Sequence, residues 1–362
     1  MKKLLWFPVF LIFLFTFSCH RSEKQPLGVV TTSMLLLTDK EGIDDFGKNA
    51  ASWSGILEYY GDTWEDQKNR GTAYDYATFS PGESPEEFLK DAISRNFELI
   101  FCITEELFPV LPKICREFPE QKFAVICQKP LEEAHNLLQF IVSYEEAAFL
   151  VGQAMALKAQ EMDKPGEGDL FAFLGNNQTI SEEKLYLGFI QGILNVNPNG
   201  EVKTFFLKDS HNFSSARVKT WFESGIFFVF TTEDAFSADI TDVATDLRNK
   251  QREVWLCGVS LSDLISANSP ILTSVEFHPE IPIYLALNNV KAKKFRGEIR
   301  KIGIGEKALE ISRRNIELGS EIQKAMDETL SLLSTGNLII YDNFKDAIEN
   351  EIISEELPKS ED

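Results

Sequence analysis

Histidine is scarce in this chain: four occur in 362 residues, His20, His135, His211 and His278. They are scattered and share no metal-ligand spacing. The five cysteines form no C-x-x-C pair. No nucleophile elbow, P-loop or zinc signature occurs. Asp39, Glu41, Asp44 and Asp45 cluster, but without the ligand order of a calcium-binding EF-hand loop. These absences argue against an enzyme and against a resident metal or cofactor. Positive charge is also short, with 36 Lys and Arg against 56 Asp and Glu, a formal net charge of −20. Such a chain repels nucleic acid and anionic lipid, so nucleic acid is not an expected partner. The apolar run Leu4–Phe17 falls short of the roughly 20 residues a membrane-spanning helix needs.

What is present begins at that run. Lys2 and Lys3 precede it, and Ser18-Cys19 follows. A basic start, an apolar stretch and a small residue before the cut read as a secretory signal over residues 1–18. A small residue directly before Cys19 resembles a bacterial lipobox, with Thr16 where Leu is usual. Cys19 is therefore the expected lipidated residue, residues 19–27 a polar tether, and the cell envelope the expected location, in either leaflet. The remaining cysteines read as buried small hydrophobes. A Cys102–Cys127 bridge between neighbouring strands stays open.

The length suits two lobes of about 150 residues each. Gly28–Leu37 reads as a first strand and Ala50–Tyr60 as a first helix, with Gly42 and Gly47 in the loop between. Strands at Thr72–Phe79, Phe97–Ile103, Phe123–Cys127 and Leu138–Ser143 follow. Between them lie a helix from Pro85 to Ser94, capped by Ser84, and one over Leu107–Phe118. The alternation then repeats. Helices at Glu145–Glu161, Ser181–Asn195, Ser214–Ser224 and Ala238–Lys250 intersperse strands at Asp169–Leu174, Lys203–Phe206, Ile226–Phe230 and Val254–Val259. Ile271–Val275 reads as a strand, Ile281–Lys294 as a helix, Gly297–Ile304 and Ala308–Ile311 as a pair of short strands, and Asn315–Ser334 as a helix. The class is α/β, with doubly wound parallel sheets in two similar halves and a cleft between them. Two formal glycosylation sequons, at Asn177 and Asn212, carry no weight beside the expected bacterial lipobox.

Several blocks together resemble the basic membrane protein family of bacterial substrate-binding lipoproteins, some of which bind purine nucleosides for an ABC importer. Asp39-Lys40-Glu41-Gly42-Ile43-Asp44-Asp45 looks like that family's Asp-Lys-Gly-Gly-Ile-Asn-Asp loop, and Asn49, Trp53 and Gly55 fall where its next pattern has Asn, Trp and Gly. Phe97–Ile100, Phe118–Ile126, Glu145–Gly152, Gly188–Gly192 and Leu272–Val275 match further blocks in order. The resemblance implies the type I periplasmic-binding architecture, two Rossmann-like lobes with several hinge crossings. On that basis residues 28–143 with about 271–297 form the first lobe. Residues 144–270 with about 298–340 form the second, and 341–362 an acidic, partly disordered tail. Hinges are expected near Phe140–Ser143, Ser260–Ser269 and Gly297–Arg300.

The resemblance also implies a small-molecule ligand, an ABC transporter permease as partner and a membrane attachment through the lipid. Departures from the pattern fall where a ligand would sit. Cys127 and Ser260 stand where the family has carboxylates, Phe277 where it has Lys, and Lys48 where it has an aromatic. Thr231-Thr232-Glu233-Asp234 replaces a stretch of small residues. Each lost polar partner costs about 1–3 kcal/mol, so a ligand other than a standard ribonucleoside is favoured.

Strand-end loops face the cleft of such a fold, which makes Asp45, Asn49, Phe46, Trp53, Thr104, Glu105, Asn176, Ser260 and Phe277 the candidate ligand residues. For Asp45 the competing role is capping the first helix. For Trp53 it is core, for Glu105 solvation, and for Phe277 plugging the cleft. Two functions remain open: a lipid-anchored solute receptor, or a degenerate binding-protein fold acting as scaffold or sensor without a transport ligand. A polar cleft would favour the first, and one filled by aromatics the second.

Overall fold

The computed structural model describes residues 32–45, 47–162, 169–176, 179–207, 214–266 and 268–354. The expected signal, Cys19, the tether, Phe46, both sequon asparagines and the last residues of the tail lie outside these. The first half runs β1 (Met34–Thr38), α1 (Lys48–Tyr60), β2 (Tyr74–Thr78), α2 (Pro85–Ser94), β3 (Leu99–Cys102), α3 (Leu111–Glu117), β4 (Lys122–Cys127) and β5 (Leu137–Val142). Then come α4 (Tyr144–Glu161), β6 (Leu170–Gly175), α5 (Ile180–Val196), β7 (Glu201–Phe206), α6 (Ser214–Glu223), β8 (Phe228–Thr231), α7 (Ala238–Asn249) and β9 (Trp255–Val259). The chain closes with β10 (Ile271–Phe277), α8 (Glu280–Lys291), β11 (Glu298–Ile302), β12 (Leu309–Ile311), α9 (Ser320–Ser334) and α10 (Phe344–Glu349).

The strands form two six-stranded sheets of matching order, β2-β1-β3-β4-β5-β11 and β7-β6-β8-β9-β10-β12. All pairs are parallel except β10 with β12. Every residue of β1, β3, β5, β8 and β9 is buried. Helices on both faces of a parallel sheet require such unbroken apolar strands, which is why their sequences do not alternate. Strand order reverses between β1 and β3 in one sheet and between β6 and β8 in the other. At such a reversal the connecting loops diverge and leave a crevice at the carboxyl ends.

Local sequence sets most boundaries. Ser84 caps α2 through its hydroxyl, which accepts from the Glu87 N–H, with Pro85 at the first helical position. Helices α4 and α5 pack backbone to backbone. A Cβ on Gly188 would meet the Glu145 carbonyl oxygen at 2.2 Å, and one on Gly192 the Phe149 carbonyl oxygen at 2.0 Å.

Several expectations change. The helix placed at Leu107–Phe118 is a 3-10 turn over Glu105–Leu107 followed by α3. Pro112 lacks an N–H and fits only a first helical turn, so the helix restarts there. Strand β10, assigned with the first lobe, pairs with β9 in the second sheet, whereas β11, assigned with the second, pairs with β5 in the first. The short strands at 298–302 and 309–311 are therefore not a pair, and the chain passes between sheets at Ser143, at His278-Pro279 and over Gly303–Ala308. The link Ser260–Ser269 joins neighbours within one sheet, and Gly297–Arg300 belongs to the first sheet, so neither is a crossing. No bridge joins Cys102 and Cys127, and all four described cysteines are buried and free. Cys102 stands opposite Val125, so Cys127 lies two residues, about 6–7 Å, farther along the strand. Lateral spacing added to that offset exceeds the reach of a disulfide.

The described part of the tail, as far as Ser354, carries a short helix and packs on the second lobe. Helix α10 seats Ala347 and Ile353 against Leu187 of α5, with Ile190, Leu194, Tyr341 and Phe344 around them. Gln191 fixes the backbone of Tyr341, donating to its carbonyl oxygen at 2.9 Å and accepting from its N–H at 3.0 Å.

Candidate functional site

The loop after β1 is built from its own acidic residues. Asp45 accepts from the N–H groups of Gly47 at 2.9 Å, Asn49 at 3.0 Å and Ala50 at 2.8 Å. Three otherwise unpaired donors at the start of α1 are satisfied by one carboxylate, which is the capping role. Asn49 is fully buried and donates to Asp39 at 2.9 Å, leaving its amide oxygen without a partner. Trp53 is also fully buried, edge-on to Tyr74 and Tyr76 at 5.3 and 5.1 Å, and so belongs to the core.

Between the sheets' carboxyl ends lies a cavity of about 80 Å³. The first lobe contributes Lys48 at the start of α1, Glu105 after β3, Cys127 at the end of β4 and Gln128 beyond it. From the second come Tyr144 at the start of α4, Ser181 and Lys184 one turn apart on α5, and Phe277 at the end of β10. At the cavity, two hydrogen bonds cross between lobes. The Ser181 backbone N–H donates to the Gln128 side-chain oxygen at 3.3 Å, and the Lys184 ammonium donates to the Val142 carbonyl oxygen at 3.4 Å. Gln128 also donates to Glu105 at 2.9 Å, and Lys48 to the Ile103 carbonyl oxygen at 3.0 Å.

Burial governs the titrating groups. It pushes the Cys127 thiol up to about 12, with the Glu105 charge adding and Lys184 opposing, so the thiol is neutral. It also raises the Tyr144 hydroxyl. Glu145 stands 3.9 Å behind Lys184, and burial lifts its carboxyl above the usual range against the pull of that lysine. Glu233 is an exposed residue overall, yet the protein packed round its carboxyl raises it likewise, with Asp234 adding and a Ser260 hydrogen bond opposing.

Of the candidate ligand residues read from sequence, Glu105 and Phe277 line the cavity, together with Lys48 and Cys127, which were noted there as departures from the family pattern. Thr104, next to Glu105, is buried and donates to Glu106. Asn176 sits at the end of β6, its N–H on Glu182 at 2.6 Å, and Ser260 follows β9 with a left-handed φ of 59°. Neither Asn176 nor Ser260 lines the cavity, and Asp45 faces its own helix. Gln128, Tyr144, Ser181 and Lys184 were not singled out. The start of α5 carries a readable signal for two of them: Thr179 and Glu182 form a capping box, which places Ser181 and Lys184 at the first turns of a helix following a strand end.

With this geometry in hand, comparison with known proteins is decisive for the family. The family model described as ABC transporter substrate-binding protein PnrA-like (Bmp) matches residues 32–343, and the chain belongs to that family. The CD4+ T-cell-stimulating antigen of Listeria monocytogenes is 20% identical over 320 residues, 84% of this chain and 87% of the relative. A solved ABC transporter system solute-binding protein from Aeropyrum pernix matches with a TM-score of 0.69 at 16% identity, covering 89% of this chain and 97% of that one. Another from Conexibacter woesei matches at 0.65 and 14% identity, covering 86% and 99%. The fold is that of type I periplasmic-binding proteins. Its family is one of substrate-binding proteins, which work with a small-molecule ligand and a transporter. Among the described residues no helix is long and apolar enough to cross a membrane.

Proposed function

We propose that the protein is a solute receptor, held at the cell envelope by a lipid on Cys19, whose lobes close on a small polar ligand and present it to an ABC transporter permease. It performs no catalysis in this role. The observation that carries the reading is the cavity at the strand ends, lined by polar groups from both lobes. A ligand seated there touches both lobes only when they are closed, and so biases the open–closed equilibrium by its difference in affinity for the two forms. Family membership brings nucleosides to mind, but Cys127 and Phe277 of the cavity wall offer neither a carboxylate nor an ammonium. A ligand other than a standard ribonucleoside is favoured. The scaffold alternative draws no support from a cavity with Lys48, Glu105, Gln128, Ser181 and Lys184 in its lining.

A thermal-shift screen of the purified chain against nucleosides, bases, sugars, amino acids and organic acids tests the reading. Ligand at 100 times its Kd stabilises the native state by about 2.7 kcal/mol, a shift easily seen. The expected result is a shift that Phe277→Ser and Tyr144→Ala both weaken. A shift that both variants leave intact would place binding elsewhere and refute the cleft.

A further inference from the structure

Resting on that reading of the cleft, we infer that its ligand presents an anionic oxygen group, a carboxylate or a phosphate, which bridges Lys48 of the first lobe and Lys184 of the second. Both side chains line the same cavity, one from each side of the closing cleft. An ammonium has three N–H donors and no acceptor. Lys48 makes one hydrogen bond, to the Ile103 carbonyl oxygen at 3.0 Å, and Lys184 one, to the Val142 carbonyl oxygen at 3.4 Å. Each keeps N–H groups for a ligand.

The acceptors of the lining are only partly in use, and the charges in it number two ammonium groups against one carboxylate. Glu105 is its one carboxylate, and an oxygen of it takes the Gln128 amide at 2.9 Å. The Gln128 side-chain oxygen takes the Ser181 N–H. Cys127 adds no charge, because burial keeps its thiol protonated. The wall therefore carries one more ammonium than carboxylate, and a ligand with an anionic oxygen group complements it. Charge-assisted hydrogen bonds to such oxygens are roughly twice as strong as neutral ones.

Countercharges behind the lysines temper this. Glu145 lies 3.9 Å from the Lys184 ammonium, and Glu233 acts on Lys48. Burial raises both carboxyls above their ordinary range, so both are poorly stabilised anions where they stand. Lys184 is itself only 8% exposed, hence largely stripped of water. Closing the cleft brings two ammonium groups to one cavity, and an anion seated there is attracted by both. Ligand charge and lobe closure are coupled by that step. The cavity, about 80 Å³, equals two to three water volumes at roughly 30 Å³ each. It admits an anionic head group in the closed form, and the body of a larger ligand lies toward the cleft mouth.

Calorimetric titration of the full chain decides the matter with five probes: inorganic phosphate, adenosine 5′-monophosphate, glutarate, adenosine and glucose. The expected result is binding of at least one anionic probe, weakened about tenfold to a hundredfold by Lys48→Met and largely retained by Lys48→Arg. Lys68→Met, a surface change remote from the lining, leaves that binding unaltered. Phosphate-bearing and carboxylate-bearing ligands are distinguished by which anionic arm responds. Lys184→Gln gives a second reading, with thermal unfolding recorded alongside because Glu145 loses its partner. Binding of adenosine or glucose with no response from the anionic probes would overturn the anionic ligand and leave the solute receptor standing. Anion binding indifferent to Lys48→Met would overturn the bridge. Silence from all five would count against the cleft as a solute site, and against this inference with it.

Discussion

Thr104 and Glu106 show how a strand-end residue can serve the fold rather than a ligand. The Thr104 hydroxyl is buried and bonded to the Glu106 carboxylate, which it holds below the ordinary 4.5, helped by a backbone N–H and opposed by partial burial. A carboxyl depressed in the folded state adds stability that is present above its unfolded pKa and disappears as pH falls through the folded value. Thr104→Val is therefore expected to destabilise by about 1 kcal/mol at about pH 7, a figure kept low because Glu106 is mostly solvated. The deficit should shrink as pH falls below the ordinary carboxyl value of 4.5 and the depressed carboxylate takes up its proton. Urea unfolding of both proteins across that range measures it. A deficit that stays constant would mean the loss comes from packing of the hydroxyl and not from the charge. The same scale explains why Asp45 and Trp53 looked like ligand groups. An Asp ahead of a helix and an aromatic one turn into it carry identical letters whether they face a cleft, a backbone N–H or a core. Three N–H groups on Asp45 and two tyrosine rings on Trp53 settle the roles, and those partners become visible only in three dimensions.

At the scale of elements, β-strands and long helices were legible because their signals are local: unbroken apolar runs, the Ser84 cap, Pro at a first turn. Which sheet a strand joins is not local. The runs at 271–277 and 298–302 read correctly as strands, yet the first stays with its neighbour β9 while the second pairs with β5, more than 150 residues back, and no local signal separates the two cases. The docked C-terminal segment escaped for a related reason. Its apolar residues Phe344, Ala347, Ile348 and Ile353 are spaced for one short face among Asp, Glu, Asn and Lys, so composition pointed to a frayed helix and a partly disordered tail rather than a docked one. The face exists only because α5 offers Leu187, Ile190 and Leu194 to receive it. Ala347 is fully buried in that contact, so Ala347→Glu places an unpaired charge there, costing several kcal/mol unless the segment lets go. Release is the cheaper response. Tryptic cleavage at Lys345 should accelerate more than tenfold while thermal unfolding of the two lobes changes little. Unchanged cleavage would show that α10 is held by other contacts. The family match ends at residue 343, just before this helix.

For the whole molecule, three chain crossings join two sheets of the same winding, and few hydrogen bonds span the cleft that they enclose. The cavity residues are far apart in sequence, Lys48 and Lys184 by more than a hundred positions, which is why sequence could suggest the strand ends as a candidate site but not the set of side chains that lines the cavity. Closure then depends on small terms. The Ser181 N–H has the Gln128 side-chain oxygen as its partner when closed. When open it is free to bind water, so the net advantage of the contact is about 0.5–1.5 kcal/mol. Gln128→Ala should shift the ligand-free equilibrium toward open by roughly twofold to tenfold. The apparent affinity for any ligand held between the lobes falls by no more than the same factor. Small-angle scattering of the ligand-free chain would register a larger radius of gyration, and calorimetry the affinity. Ser181→Ala keeps the backbone N–H and so should leave the radius unchanged, which separates the contact itself from a general loosening of α5. An affinity loss in Gln128→Ala without any change in radius would make Gln128 a ligand contact rather than a closing one.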